Sequence, residues 1–262
     1  MSHLTCTVDD ALATIVLHNA PQNRIGDLMV EELAAAIKTI SLSQVRAVLL
    51  RSQGPDFSFG GDIVPWPELD RAALRGTFER YMNTFNAFER LAVPVIAAVQ
   101  GLCFGGGFEL ALRADVIFAG ATARFGHPEQ SLGIVTLLGG IYRVAERVGR
   151  VRAFEWAMTS EQVPAAAMQN FGVINRVVAD DDLIQTAEAF ARKIATGPTR
   201  AHAAHKALLR AWAFGGIGAA DELMFDIAMP LFDTDDVKRG IRSAVSALKA
   251  GTPRPVLDFK GA

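Results

Sequence analysis

The feature that most constrains the fold of this chain is a change of hydrophobic pattern near residue 179. Before it, short apolar runs typical of buried strands alternate with stretches whose apolar residues have helical spacing. Buried strands separated by helices predict an α/β body in which helices cover a mostly parallel sheet. Strands are predicted at 12–18, 46–51, 93–99 and 116–119, and the first clear helix at 27–40.

The sequence after residue 179 has amphipathic patterns with no strand between them. Helices are predicted at 182–195, 199–214, 219–232 and 235–249. Such a region packs either on its own body or on a neighbouring subunit. A subunit interface is favoured because the region offers much apolar surface to bury, including Leu208, Met224, Phe225, Ile227 and Met229. We therefore predict two regions, 1–178 and 179–262, and a homo-oligomer.

The composition excludes several classes of function. Lys and Arg total 26 and Asp and Glu total 28, so the net charge of −2 disfavours nucleic-acid and anionic membrane partners. The N-terminal sequence MSHLTCTVDD lacks the features of a secretion signal, and no apolar run approaches the ~20 residues of a membrane span. We expect a cytoplasmic protein. Cys6 and Cys103 lack CxxC spacing and are predicted to be reduced thiols, at least one of them buried.

Three segments that follow predicted strands could carry chemistry: FSFGGDI at 57–63, GLCFGGGFELALRAD at 101–115 and FGHPEQSLGI at 125–134. In the second, three glycines precede a helix that begins near Phe108. The unpaired amides of such a helix start suit a phosphate, a carboxylate or a developing oxyanion. Because no phosphate-loop or dinucleotide frame is present, we favour an oxyanion hole formed together with the glycine turn at 60–61. The alternative is a pair of tight turns.

Two glutamates accompany these glycine turns. Glu109 lies in the first helical turn, where the alternative is an exposed carboxylate paired with Arg113 at i,i+4. Glu129 lies in a loop, where the alternative is a capping carboxylate. Beside a polarised carbonyl, two glutamates could take a proton from water and deliver one to carbon.

The other candidate residues have structural interpretations. His127 is predicted as a hydrogen-bonded structural side chain and Asp115 as a residue at a helix end. The sequence has no HExxH motif, Cys/His cluster or GxSxG elbow, so we predict neither a metal nor a hydrolytic triad.

Taken together, these segments resemble the crotonase family, the enoyl-CoA hydratase/isomerase superfamily. The resemblance extends from NAPQNRIGDLMVEEL at 19–33 through VPVIAAVQG at 93–101 and GVINRVV at 172–178 to FKG at 259–261. It implies a crotonase-like spiral of ββα units with a C-terminal helical trimerisation region, assembled as a trimer or a dimer of trimers. It also implies a reaction on an acyl-CoA thioester without a metal or redox cofactor, with coenzyme A entering as part of the substrate.

The resemblance also implies roles for individual residues. The backbone N–H groups of Phe59 and Gly106 would bind the thioester oxygen, and Glu109 and Glu129 would flank the added water. The presence of both glutamates favours an enoyl-CoA hydratase, because members that only isomerise double bonds usually keep one. Residues implied to contact the substrate or coenzyme A are Arg24, Phe59, Gly60, Gly61, Asp62 and Gly106. For Arg24 the expected partner is a phosphate, and a solvated side chain is the alternative.

Other functions stay open. They are another reaction of the same family, namely double-bond isomerisation, C–C cleavage or thioester hydrolysis, and a non-catalytic acyl-CoA binding subunit. The sequence also departs from the family pattern at two places. Phe59 stands where a small residue is common, and its ring would narrow the acyl pocket. Thr136 and Leu137 replace a proline-glycine pair beside a backbone amide that helps to hold the water in the family, so they would alter that amide's position.

Overall fold

A computed structural model of the protein describes residues 2–261 and contains two sheets. In the main sheet only the first strand is antiparallel to its neighbour, and the other strands pair in parallel. Its strands, in spatial order, are β1 (Leu4–Asp9), β2 (Leu12–Leu17), β3 (Ala47–Ser52), β4 (Val95–Val99), β6 (Val116–Gly120) and β9 (Arg176–Val178). The small sheet consists of β5 (Leu102–Phe104), β7 (Arg124–Gly126) and β8 (Val163–Pro164). The four strands predicted from apolar runs correspond to β2, β3, β4 and β6, so these predictions are confirmed.

Nine helices lie within the described residues. They are α1 (Asp27–Ser41), α2 (Arg71–Glu89), α3 (Gly106–Ala111), α4 (Gly140–Val148), α5 (Arg150–Thr159), α6 (Ala165–Asn170), α7 (Leu183–Ala195), α8 (Thr199–Ala228) and α9 (Asp235–Ala250). A short 3-10 helix, Pro128–Leu132, follows β7. Helix α8 spans two predicted helices, and its regular geometry breaks between them at Gly216, whose φ is 72°.

The main sheet is covered on both faces. Successive side chains of a strand point to opposite faces, so Val48 and Leu50 of β3 join the larger core and Leu49 joins the smaller one. Residues of α1 and α2 fill the larger core, and residues of α7 fill the smaller core. Burial on both faces explains why these strands appear in the sequence as continuous apolar runs.

The C-terminal helices make two different kinds of contact with the body. Helix α7 packs on the main sheet, although it follows the predicted boundary at 178/179. The division into regions 1–178 and 179–262 stays a prediction. The first and last residues of these regions, 1 and 262, lie outside the described residues. Helix α8 is tied to the body by Lys206, whose Nζ lies 2.6 Å from Asp115 Oδ2 and donates to the Val93 carbonyl at 3.1 Å. Asp115 also accepts the Val95 N–H at 2.7 Å, so its predicted structural role is confirmed.

Helix α8 has no buried residue, and many of its apolar side chains are exposed. Met224, Phe225 and the following Met229 are 37%, 70% and 48% exposed. The exposure of Phe225 is at odds with packing within one chain, the alternative considered for these residues, whereas Met224 and Met229 are more than half covered within the chain. Leu208 and Ile227 are partly buried.

Two further sequence predictions can be compared with the described residues. None of the helices there is long and apolar enough to cross a membrane. Both cysteines are free thiols, with Cys103 buried and Cys6 half-buried, as predicted. Burial raises the pKa of both thiols.

Candidate active site

The two glycine turns singled out in the sequence lie against each other. Gly60 has a φ of +101°, and a Cβ atom there would lie 3.1 Å from the Phe104 carbonyl oxygen and 3.5 Å from the Gly106 nitrogen. A Cβ atom at Gly106 would in turn lie 3.6 Å from the Gly61 nitrogen. At position 60 only a glycine accepts both this backbone conformation and this close approach, because it has no Cβ atom. The arrangement brings the backbone amides of both turns to one place.

The backbone amides of these turns differ in what they bind. The Phe59 N–H donates to the Gln22 carbonyl at 2.9 Å, and the Gly60 N–H also has an acceptor within the chain. The N–H groups of Gly61 and Gly106 donate no hydrogen bond within residues 2–261. The prediction that Phe59 supplies a free donor is therefore wrong, because its hydrogen already holds the segment around Gln22. Gly61 is the free donor of the first turn.

Glu109 is a buried carboxylate at the start of α3. It is 2% exposed, and its Oε1 accepts the N–H groups of Leu138 and Gly140, each at 2.8 Å. Burial raises the pKa of this carboxyl, and the two hydrogen bonds oppose that shift. The alternative of an exposed carboxylate paired with Arg113 is wrong, because Arg113 is also buried and donates to the Glu109 carbonyl at 3.0 Å instead.

The loop before α4 is held against Glu109 from both sides. Arg113 Nη2 donates to the Leu138 carbonyl at 2.9 Å and to Asn86 Oδ1 at 3.1 Å, which links the loop to α2. Thr136 Oγ1 accepts the Ile141 N–H at 3.1 Å and so binds the first turn of α4. The segment with Thr136 and Leu137 departs from the family pattern, yet the backbone N–H groups that follow it still donate to the Glu109 carboxylate.

Glu129 reaches the same place from the 3-10 helix after β7. A Cβ atom at Gly105, whose φ is +48°, would lie 2.9 Å from Glu129 Oε1, so the carboxyl rests on the glycine backbone. Burial raises the pKa of Glu129 to about 7; a hydrogen bond to its own backbone opposes this shift, and the Glu109 charge adds to it. Its Oε2 is buried and has no hydrogen-bond partner among the described residues.

His127 lies beside Glu129 and is 3% exposed. Burial lowers the pKa of its imidazole to about 4, so the ring is neutral near pH 7. The expectation of a hydrogen-bonded side chain is wrong within residues 2–261, because neither ring nitrogen has a partner there. The ring packs on Phe108 instead, with centroids 5.0 Å apart and planes inclined by 32°.

Both glutamates and the two glycines that carry the free N–H groups, Gly61 and Gly106, line a single cavity of about 220 Å³. Among its walls, Trp66 and Phe78 meet edge to face with ring centroids 5.1 Å apart. Its other apolar side chains include Ile25, Ile63, Leu132, Ile134, Leu137 and Leu138. A polar end with two carboxylates and two N–H donors, next to an apolar wall, suits a substrate with a carbonyl group and an apolar chain.

Five of the six predicted binding residues line this cavity: Arg24, Phe59, Gly60, Gly61 and Gly106. Asp62 is missing from the described residues that line it, and its carboxylate accepts the Val64 N–H at 3.3 Å. Arg24 Nε donates to Gln22 Oε1 at 2.9 Å, and its guanidinium carbon lies 5.8 Å from the centre of the Phe59 ring. The predicted contact of Arg24 with a coenzyme A phosphate stays a prediction.

Within the part of the chain that the structure describes, no group of three or more His, Cys, Asp or Glu residues is placed to hold a metal ion.

The sequence reasoning missed two features of this site, the free amide of Gly61 and the contact between His127 and Glu129. Local sequence carries no signal for the free amide of Gly61. That amide is the free one because the Phe59 N–H is bound by the Gln22 carbonyl, 37 positions away in the sequence.

Comparison with known proteins gives consistent matches. A family model described as enoyl-CoA hydratase/isomerase matches residues 7–250. A probable enoyl-CoA hydratase of Rhizobium meliloti (strain 1021) is 32% identical over 257 residues, which cover 95% of this chain and 98% of the relative. A mitochondrial enoyl-CoA hydratase of Pongo abelii is 28% identical over 230 residues, covering 87% of this chain and 78% of the relative. A crystal structure of the Geobacillus kaustophilus HTA426 enoyl-CoA hydratase superposes with a TM-score of 0.91 at 27% identity, covering 100% of this chain and 98% of that one. The fold class predicted from the motifs is confirmed by this likeness.

Proposed function

Because the chain belongs to the enoyl-CoA hydratase/isomerase family, we propose that it is a lyase that adds water across the 2,3 double bond of a 2-enoyl-CoA thioester. One observation carries the proposal: two glutamates in different environments line the same cavity as two glycines whose backbone N–H groups have no acceptor within the described chain. Hydration of an enoyl thioester needs these parts, since a carbonyl must be polarised while water attacks one carbon and a proton reaches the next.

The thioester oxygen is proposed to bind the N–H groups of Gly61 and Gly106. Attack of water at Cβ moves negative charge onto this oxygen, and donors already fixed in the fold stabilise that charge without reorganising. Loss of one such donor typically costs about 3 kcal/mol of transition-state stabilisation. Gly61 takes the place first assigned to Phe59, because the Phe59 hydrogen is bound elsewhere.

The two glutamates are proposed to have different roles. Glu109 uses Oε1 to accept two backbone N–H groups, which leaves Oε2 to orient and activate the attacking water. Glu129, with a pKa of about 7, carries a proton in a large fraction of molecules near neutral pH and delivers it to Cα. The proposed reaction uses no metal or redox cofactor, and coenzyme A enters with the substrate.

Other parts of the substrate are proposed to bind along the same cavity. The apolar wall that contains Trp66 and Phe78 suits the acyl chain, and Arg24 suits a phosphate of coenzyme A at the neighbouring end. Isomerisation of the double bond and a purely binding role are less well supported. An isomerase needs only one of the two glutamates that face this cavity, and a binding subunit needs neither.

The proposal is tested by following the absorbance of the enoyl thioester with crotonyl-CoA and with a longer 2-enoyl-CoA. We expect the absorbance to fall and a 3-hydroxyacyl-CoA to form with at least one of the two. If both thioesters bind and neither is hydrated, the hydratase assignment is wrong, and isomerase and thioester-hydrolase assays on the same samples decide between the alternatives. If neither binds, the proposal of an acyl-CoA site is wrong.

We also infer that the protein is a homo-oligomer, a trimer or a dimer of trimers, assembled through exposed apolar side chains of α8. Around the break at Gly216, Trp212, Phe214 and Ile217 are 46%, 80% and 70% exposed, which is much apolar surface for an isolated chain. Light scattering after gel filtration is expected to give a multiple of the monomer mass. The Trp212→Glu, Ile217→Glu double variant is expected to shift this mass towards the monomer, whereas Leu42→Glu, at the end of α1, is expected to leave it unchanged. A monomeric wild type would contradict the inference.

A further inference from the structure

Two buried polar groups lie side by side next to the cavity: Glu129, which lines it, and His127, which is not among the lining residues. Neither has a hydrogen-bond partner for the atoms concerned among the described residues. His127 Nδ1 lies 3.9 Å from Glu129 Oε2, and both atoms are buried without a hydrogen bond. Buried polar groups are nearly always paired in native proteins. A shift of the Glu129 carboxyl by about 1 Å would bring these two atoms within hydrogen-bonding distance.

The His127 ring is held by packing on one face and along one edge. One side stacks on Phe108, and the Cε1–Nε2 edge lies on Gly140, where an added Cβ atom would be 2.4 Å from Cε1. The same Cβ atom would lie 3.0 Å from Glu109 Cγ. The Gly140 N–H also donates to Glu109 Oε1. The imidazole therefore contacts Gly140, which holds Glu109, along one edge and lies beside the Glu129 carboxyl at Nδ1.

We propose that His127 is a positioning residue for Glu129: its neutral imidazole directs Nδ1–H towards Oε2 and holds the carboxyl on the Gly105 backbone. The inference rests on the proposed hydration reaction. In that reaction the Glu129 O–H bond breaks, a C–H bond forms at Cα, and the electron pair stays on the Glu129 carboxylate. His127 keeps its proton and stabilises this carboxylate as it forms.

The charges around the pair are consistent with this role. Glu109 is the titratable group that acts on Glu129, and its negative charge disfavours a second carboxylate there. Arg113 is bound to backbone carbonyls and to Asn86. Burial keeps the pKa of His127 near 4, so the imidazole is a neutral donor throughout the range in which Glu129 titrates.

Three variants separate the donor from the ring. His127→Phe keeps an aromatic ring on Phe108 and removes both nitrogens. His127→Asn places an amide near the position of Nδ1, and His127→Gln places it near that of Nε2. The pKa of Glu129 is read in each by carbon NMR of glutamate-labelled protein, with Glu129→Gln to assign the signal, and kcat and KM are measured on the enoyl thioester.

In His127→Phe we expect the pKa of Glu129 to rise and kcat to fall by about 10- to 100-fold, with KM within about threefold of wild type. His127→Asn is expected to recover most of the activity and His127→Gln less. A His127→Phe protein with the wild-type Glu129 pKa and kcat would overturn the proposal, as would an Asn variant no better than the Gln variant. If the Phe variant does not fold, the Asn and Gln variants decide. The NMR titration needs no substrate, so it tests the His127–Glu129 contact even if the protein hydrates no enoyl-CoA.

Discussion

Replacement of Glu109 by Gln is expected to lower kcat for enoyl-CoA hydration by about 10³-fold while KM changes by less than about threefold. The Gln side-chain oxygen can still accept the N–H groups of Leu138 and Gly140, which bind Oε1 in the wild type. The loop before α4 therefore keeps its position. What the variant loses is the negative charge that activates water, so the loss falls on the chemical step.

The measurement is steady-state hydration of the better of the two enoyl thioesters, with the circular dichroism spectrum as a check of the fold. Glu146→Gln is the matched control, because Glu146 is an exposed glutamate on α4. The control is expected to retain wild-type kcat. A Glu109→Gln protein that is folded and keeps more than about a tenth of wild-type kcat would show that Glu109 is not the group that activates water.

Replacement of Glu129 by Gln is expected to lower kcat by about 10²- to 10⁴-fold and to change the pH profile. Burial raises the pKa of Glu129 to about 7, so its protonated form predominates below that pH. Because the proton delivered to Cα comes from this form, the wild-type hydration rate is expected to fall as pH rises through about 7. The residual activity of the variant should lack this step, since Gln does not titrate.

The profile is measured as kcat between pH 5.5 and 8.5, with stability to denaturant followed over the same range. Glu68→Gln, at an exposed site on the chain, is the control and should retain the wild-type step. A wild-type rate that increases with pH through 7 would contradict the role of proton donor and favour a basic one. If the step persists in Glu129→Gln, another group is responsible for it.

Much of the arrangement of the chain is local in origin and could be predicted from the sequence. The apolar runs at 46–51 and 93–99 predict strands because burial on both faces of a parallel sheet requires continuous apolar residues. The glycine pair at 60–61 and the triplet at 105–107 predict tight turns, since few other residues accept such conformations. The spacing of Glu109 and Glu129 relative to these turns is also a property of the sequence, and it identified both carboxylates.

The tertiary structure decided what each of these groups can do. The fold brings the Gln22 carbonyl, from a distant part of the chain, to the Phe59 N–H. Because that N–H is bound, Gly61 is left as the free donor. Glu109 is buried and held by two amides of the loop before α4, although its local pattern equally fitted an exposed helix residue. The raised pKa of Glu129 and the contact with His127 also depend on burial. Hydrogen-bond partners and desolvation are set by residues far apart in sequence, and only the folded chain brings them together.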